Sequence, residues 1–303
     1  MTVAPATHRP LLGIALMCLA GTVLPFMNGF GKLLSATYPA EQVVWARFVS
    51  HLLWVLLLAG PQLGTALFRT ARPGLQLARS LAMLSSSVIF FVALPHIGLA
   101  EASVINFVSP FLVMLLALPM LGERFVAHRL IGVTIGFAGV IVVIRPGADV
   151  FNWASVAIFV SSGFYALYQV LTRMVAGHDR PETSILYSVL AGSIAMSFVM
   201  PWVWTTPMST IDAVLMASLG FIGAIGHYCL ARAMFYAPAS VISPFNYWQL
   251  IGAVGVGYAL FASLPDAWTW IGAVLIVGAG LFIGWRETGM RGGGAQNSAA
   301  TEK

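Results

Sequence analysis

The sequence predicts an all-α polytopic membrane protein with ten transmembrane helices arranged as a five-plus-five inverted repeat. Three observations support this prediction: a composition that is 59% hydrophobic and only 8% charged over 303 residues, ten long segments nearly free of charged side chains, and matching motifs in the two halves. Soluble chains carry about 25% charged residues, and a bilayer span needs roughly 20 predominantly apolar residues. The composition therefore excludes a large soluble domain and a disordered chain.

The predicted spans follow the segments poor in Asp, Glu, Lys and Arg, in chain order. They are 11–31, 42–60, 78–94, 100–121, 126–144, 152–171, 183–203, 212–231, 238–261 and 267–285. The connections are too short to hold a nucleotide-binding or catalytic domain, and the chain has no GxxxxGK[ST] motif. An ATP-driven pump is therefore excluded.

Lys and Arg are distributed unevenly between alternate connections. If the N-terminus is cytoplasmic, twelve of the fourteen loop and tail Lys and Arg residues face the cytoplasm, as the positive-inside rule requires. This bias predicts an integral protein of the bacterial inner membrane with both termini cytoplasmic. The net charge of +5 follows from this topology and forms no basic patch suited to nucleic acid.

Two similar motifs indicate an internal repeat. Ala-Glu-Ala-Ser-Val-Ile at 100–105 recurs as Ala-Pro-Ala-Ser-Val-Ile at 237–242, and Ile131-Gly132 recurs as Ile271-Gly272 at nearly the same offset. Five helices per half is an odd number, so the second half must enter the membrane from the opposite side, as in many secondary transporters. We predict a first repeat over 1–148, an inverted second repeat over 149–286 and a cytoplasmic tail over 287–303. Chance similarity between Leu-, Ala- and Gly-rich helices is the alternative.

Polar clusters fall at middle depth in the fourth and ninth predicted spans. A rise of 1.5 Å per residue places them roughly 9–17 Å below opposite surfaces of a core about 30 Å thick. Together with polar and aromatic positions in the third span, they predict a substrate site formed by Ser86, Phe90, Asn106, Ser109, Asn246, Tyr247, Trp248 and Gln249. An interhelical hydrogen bond is the alternative role for each polar member, most of all for the serines.

Five further residues are candidates for coupling or gating: Arg47, His51, Glu101, Pro110 and Pro244. An intramembrane charge such as Arg47 is by default a functional hypothesis, with structural pairing to Glu41 or Glu101 as the alternative. His51 titrates near neutral pH when unperturbed. All ten acidic residues fall at predicted helix ends or in loops, which predicts weak dependence of transport on a proton gradient.

The same spans resemble a known family. Trp45-Ala46-Arg47-Phe48, Pro110 and Leu121-Gly122-Glu123-Arg124, followed by Gly132 and Gly139, resemble the first-half pattern of the drug/metabolite transporter superfamily in its ten-helix EamA branch. The resemblance extends over about residues 10–286, although Ser263-Leu264-Pro265-Asp266 replaces the second Gly-Glu motif. It implies a metabolite carrier with spans three, four, eight and nine around a central cavity and spans five and ten at the periphery.

We predict a secondary transporter that moves small neutral or zwitterionic metabolites, above all amino acids, by alternating access. The predicted site lacks the clustered Lys and Arg expected for phosphorylated sugars and the buried acids expected for polyamines. A larger neutral metabolite such as a vitamin or nucleoside is the alternative within this class. An intramembrane enzyme is the alternative from another class, but the chain has no GxSxG or HExxH motif.

The expected partners are a small-molecule substrate and the lipid bilayer. We expect no cofactor, no metal and no nucleic acid. Two glycine pairs at small-xxx-small spacing, Gly132 with Gly136 and Gly280 with Gly284, are suited to helix packing. They are compatible with a monomer or a weak homodimer.

Overall fold

Helices account for nearly all of the residues that the computed structural model describes, which are 9–122, 127–146, 152–175, 178–236 and 243–301. The α-helices in this part are α1 (Pro10–Ser35), α2 (Ala40–Leu63), α3 (Pro73–Ala93), α4 (Leu99–Asn106), α5 (Ser109–Leu121), α6 (Ala127–Ile144), α7 (Trp153–Val175), α8 (Pro181–Val203), α9 (Thr210–Tyr236), α10 (Trp248–Phe261) and α11 (Ala267–Thr301). Short 3₁₀ helices occupy Gly64–Phe68, Leu94–His96 and Ser243–Tyr247.

Nine helical stretches in the described part are long and apolar enough to cross a membrane. They correspond to predicted spans one to eight and ten. The ninth span is described only from residue 243, as a 3₁₀ helix followed by the 14-residue α10. The repeated motif at 237–242 lies outside the described residues. The prediction of an all-α polytopic membrane protein is confirmed.

The third span begins earlier than residue 78, the start predicted from its apolar run. α3 starts at Pro73, because proline is favoured in the first helical turn, where its missing N–H has no intrahelical partner. Arg79 therefore lies within the helix, only 1% exposed. It donates hydrogen bonds to the carbonyl oxygen of Ser184 and to Thr172, so it contributes to packing and not to the loop charge.

The fourth span is broken in the middle. α4 ends at Asn106 and α5 begins at Ser109, whose hydroxyl donates to the Asn106 carbonyl oxygen at 2.6 Å. Pro110 follows in the first turn of α5. The Ser243–Tyr247 3₁₀ helix before α10 is a second irregular segment. Irregular backbone at membrane depth is stable only where it is buried in protein or lines a cavity, so both segments point to a cavity.

Polar contacts join the helix termini at the two ends of the bundle. At the N-terminal end, the Arg9 amide donates to the Tyr236 carbonyl oxygen at 3.2 Å. At the opposite end, Tyr38 donates to Asp212 at 2.7 Å, and Arg145 pairs with Asp266 at 2.7 Å just before α11 begins. α11 therefore runs back toward the end at which α1 starts.

Glycines allow several helices to approach closely. Gly139 of α6 and Gly272 of α11 each face the other's carbonyl oxygen. Gly132 faces Ile283 of α11, and Gly136 faces the ring of Phe111 in α5. These positions agree with the predicted role in helix packing, since a methyl group at any of them would collide with a neighbouring helix.

Candidate functional site

A cavity of about 710 Å³ lies at the centre of the bundle, next to both irregular segments. This volume is within the range of roughly 300–1,000 Å³ found for pockets that bind drug-sized ligands. The described lining residues come from α1, α2, α3, α4, α5, α7, α9, the Ser243–Tyr247 helix, α10 and α11. The tenth predicted span, α11, thus borders the cavity, whereas the family resemblance had implied a peripheral position for it.

The cavity brings together most of the residues predicted to bind substrate. Its lining includes Ser86, Phe90, Asn106, Ser109, Asn246, Tyr247 and Gln249. Trp248 lies outside it, because its side chain is 43% exposed and its Nε1 donates to Thr22 of α1 at 3.0 Å. Successive helical residues point about 100° apart, so four consecutive side chains cannot all face one side.

The two irregular segments meet at an aromatic contact. Phe107, between α4 and α5, lies with its ring centroid 5.3 Å from that of Tyr247 at an interplanar angle of 51°. Both rings line the cavity. The contact therefore joins the two segments in which polar side chains reach the cavity.

Amide side chains supply much of the cavity's hydrogen-bonding capacity. The Asn106 side-chain oxygen accepts a hydrogen bond from Ser162 of α7 at 3.0 Å, which leaves its NH₂ group as the donor for a ligand. Asn246 and Gln249 make no side-chain hydrogen bond to the described part of the chain. Asn28 of α1 and Gln169 of α7 also line the cavity.

Sequence reasoning gave no site role to Asn28 or Gln169. Asn28 is the polar amide within the predicted first span, but it lies three residues from the end of that span, about 5 Å below the surface, so a search at middle depth does not identify it. Gln169 lies near the end of the predicted span 152–171, outside the middle depth at which the site was predicted. Depth along a helix alone does not show how far a cavity extends toward one end of the bundle.

Both serines of the predicted site form hydrogen bonds within the protein. Ser86 of α3 lies 3.2 Å, oxygen to oxygen, from Ser161 of α7, and Ser161 also donates to the Ser86 carbonyl oxygen at 2.8 Å. Ser109 bonds across the break between α4 and α5. These contacts favour the interhelical or local role for both serines, even though both line the cavity.

Arg47 of α2 is a buried cation on the cavity wall, with 7% of its surface exposed. Its Nη1 donates to Ser87 at 2.7 Å, and its guanidinium carbon lies 5.5 Å from the Phe48 ring centroid. Glu101, one of the two predicted partners, instead accepts a hydrogen bond from Ser155 at 3.2 Å. Within the described residues, Arg47 forms an ion pair neither with Glu101 nor with Glu41, the two partners of its alternative structural role.

A histidine pair lies on the same side of the bundle. The rings of His51 and His227 stack with centroids 6.4 Å apart and an interplanar angle of 19°. His227 lines the cavity, whereas His51, 8% exposed, is packed behind it. This pairing is not apparent from the sequence, because α2 and α9 are far apart along the chain. Within the described residues, no group of three or more His, Cys, Asp or Glu side chains is placed to hold a metal ion.

The remaining gating candidates are dispersed. Pro110 lines the cavity at the start of α5, while Glu101 lies in the first turn of α4 near the opposite end. The side chain of Pro244 lies outside the described residues, as do Glu123 and Arg124 of the Gly-Glu motif. Of the candidates whose side chains are described, Arg47 and Pro110 line the cavity and Glu101 does not.

Gly280 directly affects the cavity wall. A Cβ atom at this position would overlap the hydroxyl oxygen of Tyr247 and lie 2.9 Å from its Cζ. We expect Gly280→Ala to displace the Tyr247 ring and to reduce transport about tenfold, an effect within the 1–3 kcal/mol typical of overpacking. The initial rate of substrate transport into proteoliposomes measures this reduction.

Gly278 on the same helix is the matched control, because a Cβ atom there meets nothing within 4 Å. Gly278→Ala should transport like the parent. Adding Tyr247→Phe to Gly280→Ala should restore part of the lost rate, since it removes the atom that overlaps most. Equal rates for Gly280→Ala and Gly278→Ala would contradict this assignment of Tyr247.

The chain is similar in sequence to known membrane transporters. The EamA-like transporter family matches residues 11–145. A pseudopaline exporter of Pseudomonas aeruginosa is 28% identical over 273 residues, covering 88% of this chain and 93% of that protein. A riboflavin transporter of Vibrio cholerae is 25% identical over 288 residues, covering 93% and 95%. An S-adenosylmethionine uptake transporter of Rickettsia prowazekii is 25% identical over 224 residues, covering 74% and 76%.

A solved protein structure shares the fold. It superimposes with a TM-score of 0.63 at 17% sequence identity, covering 92% of this chain and 96% of that one.

Proposed function

We propose that the protein, whose residues 11–145 match the EamA-like transporter family, carries a small zwitterionic metabolite of the amino-acid class through its central cavity. The observation that carries the proposal is the cavity lining. It combines five amide side chains with aromatic walls, and none of its described members is Asp, Glu or Lys. Amides bind both amino and carboxylate groups, whereas a polyamine would require acids.

The volume of the cavity favours a substrate larger than a simple amino acid. A pocket of about 710 Å³ is suited to a drug-sized ligand, and its walls include Phe90, Phe107 and Tyr247. The relatives named for riboflavin and S-adenosylmethionine support the same view. A vitamin-sized planar metabolite is therefore the second candidate substrate.

Alternating access is the proposed mechanism. Lining residues extend toward the N-terminal end, where Met17, Leu230 and Trp285 lie. The opposite end is closed by polar contacts, among them Lys32 with the Ile97 carbonyl oxygen and Arg145 with Asp266. Transport then requires these contacts to separate while the N-terminal end closes around the substrate.

The proposed architecture is an inverted repeat with both termini cytoplasmic. The two irregular segments support it, since each follows one copy of the repeated Ala-Ser-Val-Ile motif. The distribution of Lys and Arg supports the orientation. With this orientation, the conformation described here opens toward the cytoplasm.

Counterflow in liposomes tests the proposed function. Purified protein is reconstituted with an unlabelled amino acid, nucleoside or riboflavin inside and the labelled compound outside, at equal pH on both sides. We expect exchange of aromatic amino acids or of riboflavin, with little change when a pH gradient is added, since no described acid lines the cavity.

Protein-free liposomes provide the background rate. If no compound exchanges above that rate, with or without a pH gradient, the proposed substrate classes are wrong. If exchange occurs only with the gradient, the prediction of weak proton dependence fails while the substrate assignment stands.

A further inference from the structure

Arg47 is a buried charge with no opposite charge beside it among the described residues. Of its three guanidinium nitrogens, Nη1 bonds to Ser87, whereas Nε is buried and has no hydrogen-bond partner in the described part of the chain. The ionisable side chains within electrostatic range are Tyr165, Tyr168, His51 and His227. None of them carries a negative charge at neutral pH.

An unpaired buried guanidinium destabilises the folded protein unless a hydrogen-bond acceptor or a negative charge pairs with it. An unpaired ion in a low-dielectric interior loses much of its hydration energy, and an unsatisfied buried donor adds a further desolvation cost. The rings of Phe48 and Phe91, with centroids 5.5 and 5.9 Å from the guanidinium carbon, offset part of this cost through cation–π attraction. They do not neutralise the charge.

We propose that Arg47 binds the carboxylate of the transported substrate. This inference rests on the proposed function and specifies one end of the substrate: a single carboxylate at the α2 side of the cavity. The planar guanidinium fork fits a carboxylate with two parallel hydrogen bonds. The described lining residues contain no acid that competes for it.

The positions of the other binding groups determine the orientation of the bound substrate in the cavity. The amides of Asn106 and Asn246 and the ring of Tyr247 belong to the two irregular segments, whereas Arg47 extends from α2 and bonds to α3 through Ser87. The carboxylate therefore lies toward α2 and α3, and the amino group and apolar body lie toward the irregular segments. Metabolites without a carboxylate leave Arg47 unpaired and bind more weakly.

The test uses a pair of probes that differ only in charge, indole-3-acetate and indole-3-acetamide. Each is measured as a stabiliser of the detergent-purified protein against heat, because a ligand that binds the folded state raises its melting temperature, and as an inhibitor of L-tryptophan counterflow. We expect the acid to bind about tenfold more tightly than the amide. In Arg47→Gln, we expect this ratio to fall to about one.

A second readout separates substrate binding from a structural role. Arg47→Gln removes a charge that lacks a partner in the ligand-free protein, so its melting temperature without probe should equal or exceed that of the parent. Arg79→Gln is the contrast: the Nε of Arg79 also lacks a partner in the described part of the chain, but Arg79 donates to Ser184 and Thr172 and has the Asp179 carboxylate within electrostatic range. It should melt at a lower temperature and keep the tenfold preference for the acid.

The outcomes distinguish the two proposals. If indole-3-acetate is preferred in the parent and not in Arg47→Gln while no metabolite exchanges, the carboxylate site stands and the proposed transport function fails. If metabolites exchange but Arg47→Gln keeps the preference for the acid, or if it melts well below the parent with unchanged selectivity, Arg47 is structural and this inference is overturned.

Discussion

Replacing Gly220 by alanine is expected to destabilise the protein by about 3 kcal/mol, at the upper end of the range for overpacking. Gly220 of α9 packs directly on α2, and its amide donates to the Ser50 hydroxyl at 2.9 Å. A Cβ atom there would overlap the backbone nitrogen of His51 and the Ser50 oxygen. Backbone atoms inside a helix cannot move aside as a side chain can, so the whole α2–α9 contact must separate.

Thermal unfolding of the detergent-purified variant measures this effect, and Gly163→Ala is the matched control. Gly163 lies within α7, and a Cβ atom at that position meets nothing within 4 Å. Alanine should leave stability unchanged or raise it by up to about 1 kcal/mol through helix propensity. If the two variants unfold at the same temperature, α2 and α9 do not pack as closely as described.

The helical content of the fold was accessible from sequence, whereas the contacts between helices were not. Apolar segments of about 20 residues identify membrane spans because hydropathy is a local property. The start of α3 at Pro73 and the break after Asn106 depend on backbone hydrogen bonding. Mean hydropathy over a window of residues detects neither this start nor this break.

The close approach at Gly220 is a different kind of feature. It depends on which two helices meet, and in a single sequence nothing distinguishes this glycine from Gly163. Only the three-dimensional packing shows that one faces the backbone of α2 and the other has open space.

The lining of the cavity was also predictable only in part, because the sequence gives the depth of a residue but not the helix face on which it lies. Depth along a span follows from the rise per residue, which correctly brought Asn106 and Asn246 into one cavity. The rise per residue does not determine the direction in which a side chain points around the helix axis. Trp248, predicted to belong to the substrate site, points outward to Thr22, and Gly280, predicted to pack at the periphery, faces Tyr247.

Asn246→Ala is expected to weaken substrate binding about ten- to a hundredfold, the effect of losing a hydrogen bond to a charged group. Asn246 lines the cavity, and its side chain has no hydrogen bond to the described residues. Removing it should therefore leave the fold intact. The same loss at Asn106 would also release Ser162, so Asn246 gives the cleaner measurement.

Counterflow of the best compound in the liposome panel measures this loss, with Ile251→Ala and Trp248→Ala for comparison. Ile251 lies on α10 with 59% of its surface exposed, and its truncation should leave transport unchanged. Trp248→Ala tests whether the depth of a residue or the direction of its side chain determines contact with the substrate. If depth alone decides, this variant loses transport. If the side chain faces Thr22, transport decreases only slightly. Loss of transport in Trp248→Ala with full activity in Asn246→Ala would place the substrate on the other side of this segment, away from the cavity that Arg47, Asn106 and Tyr247 line.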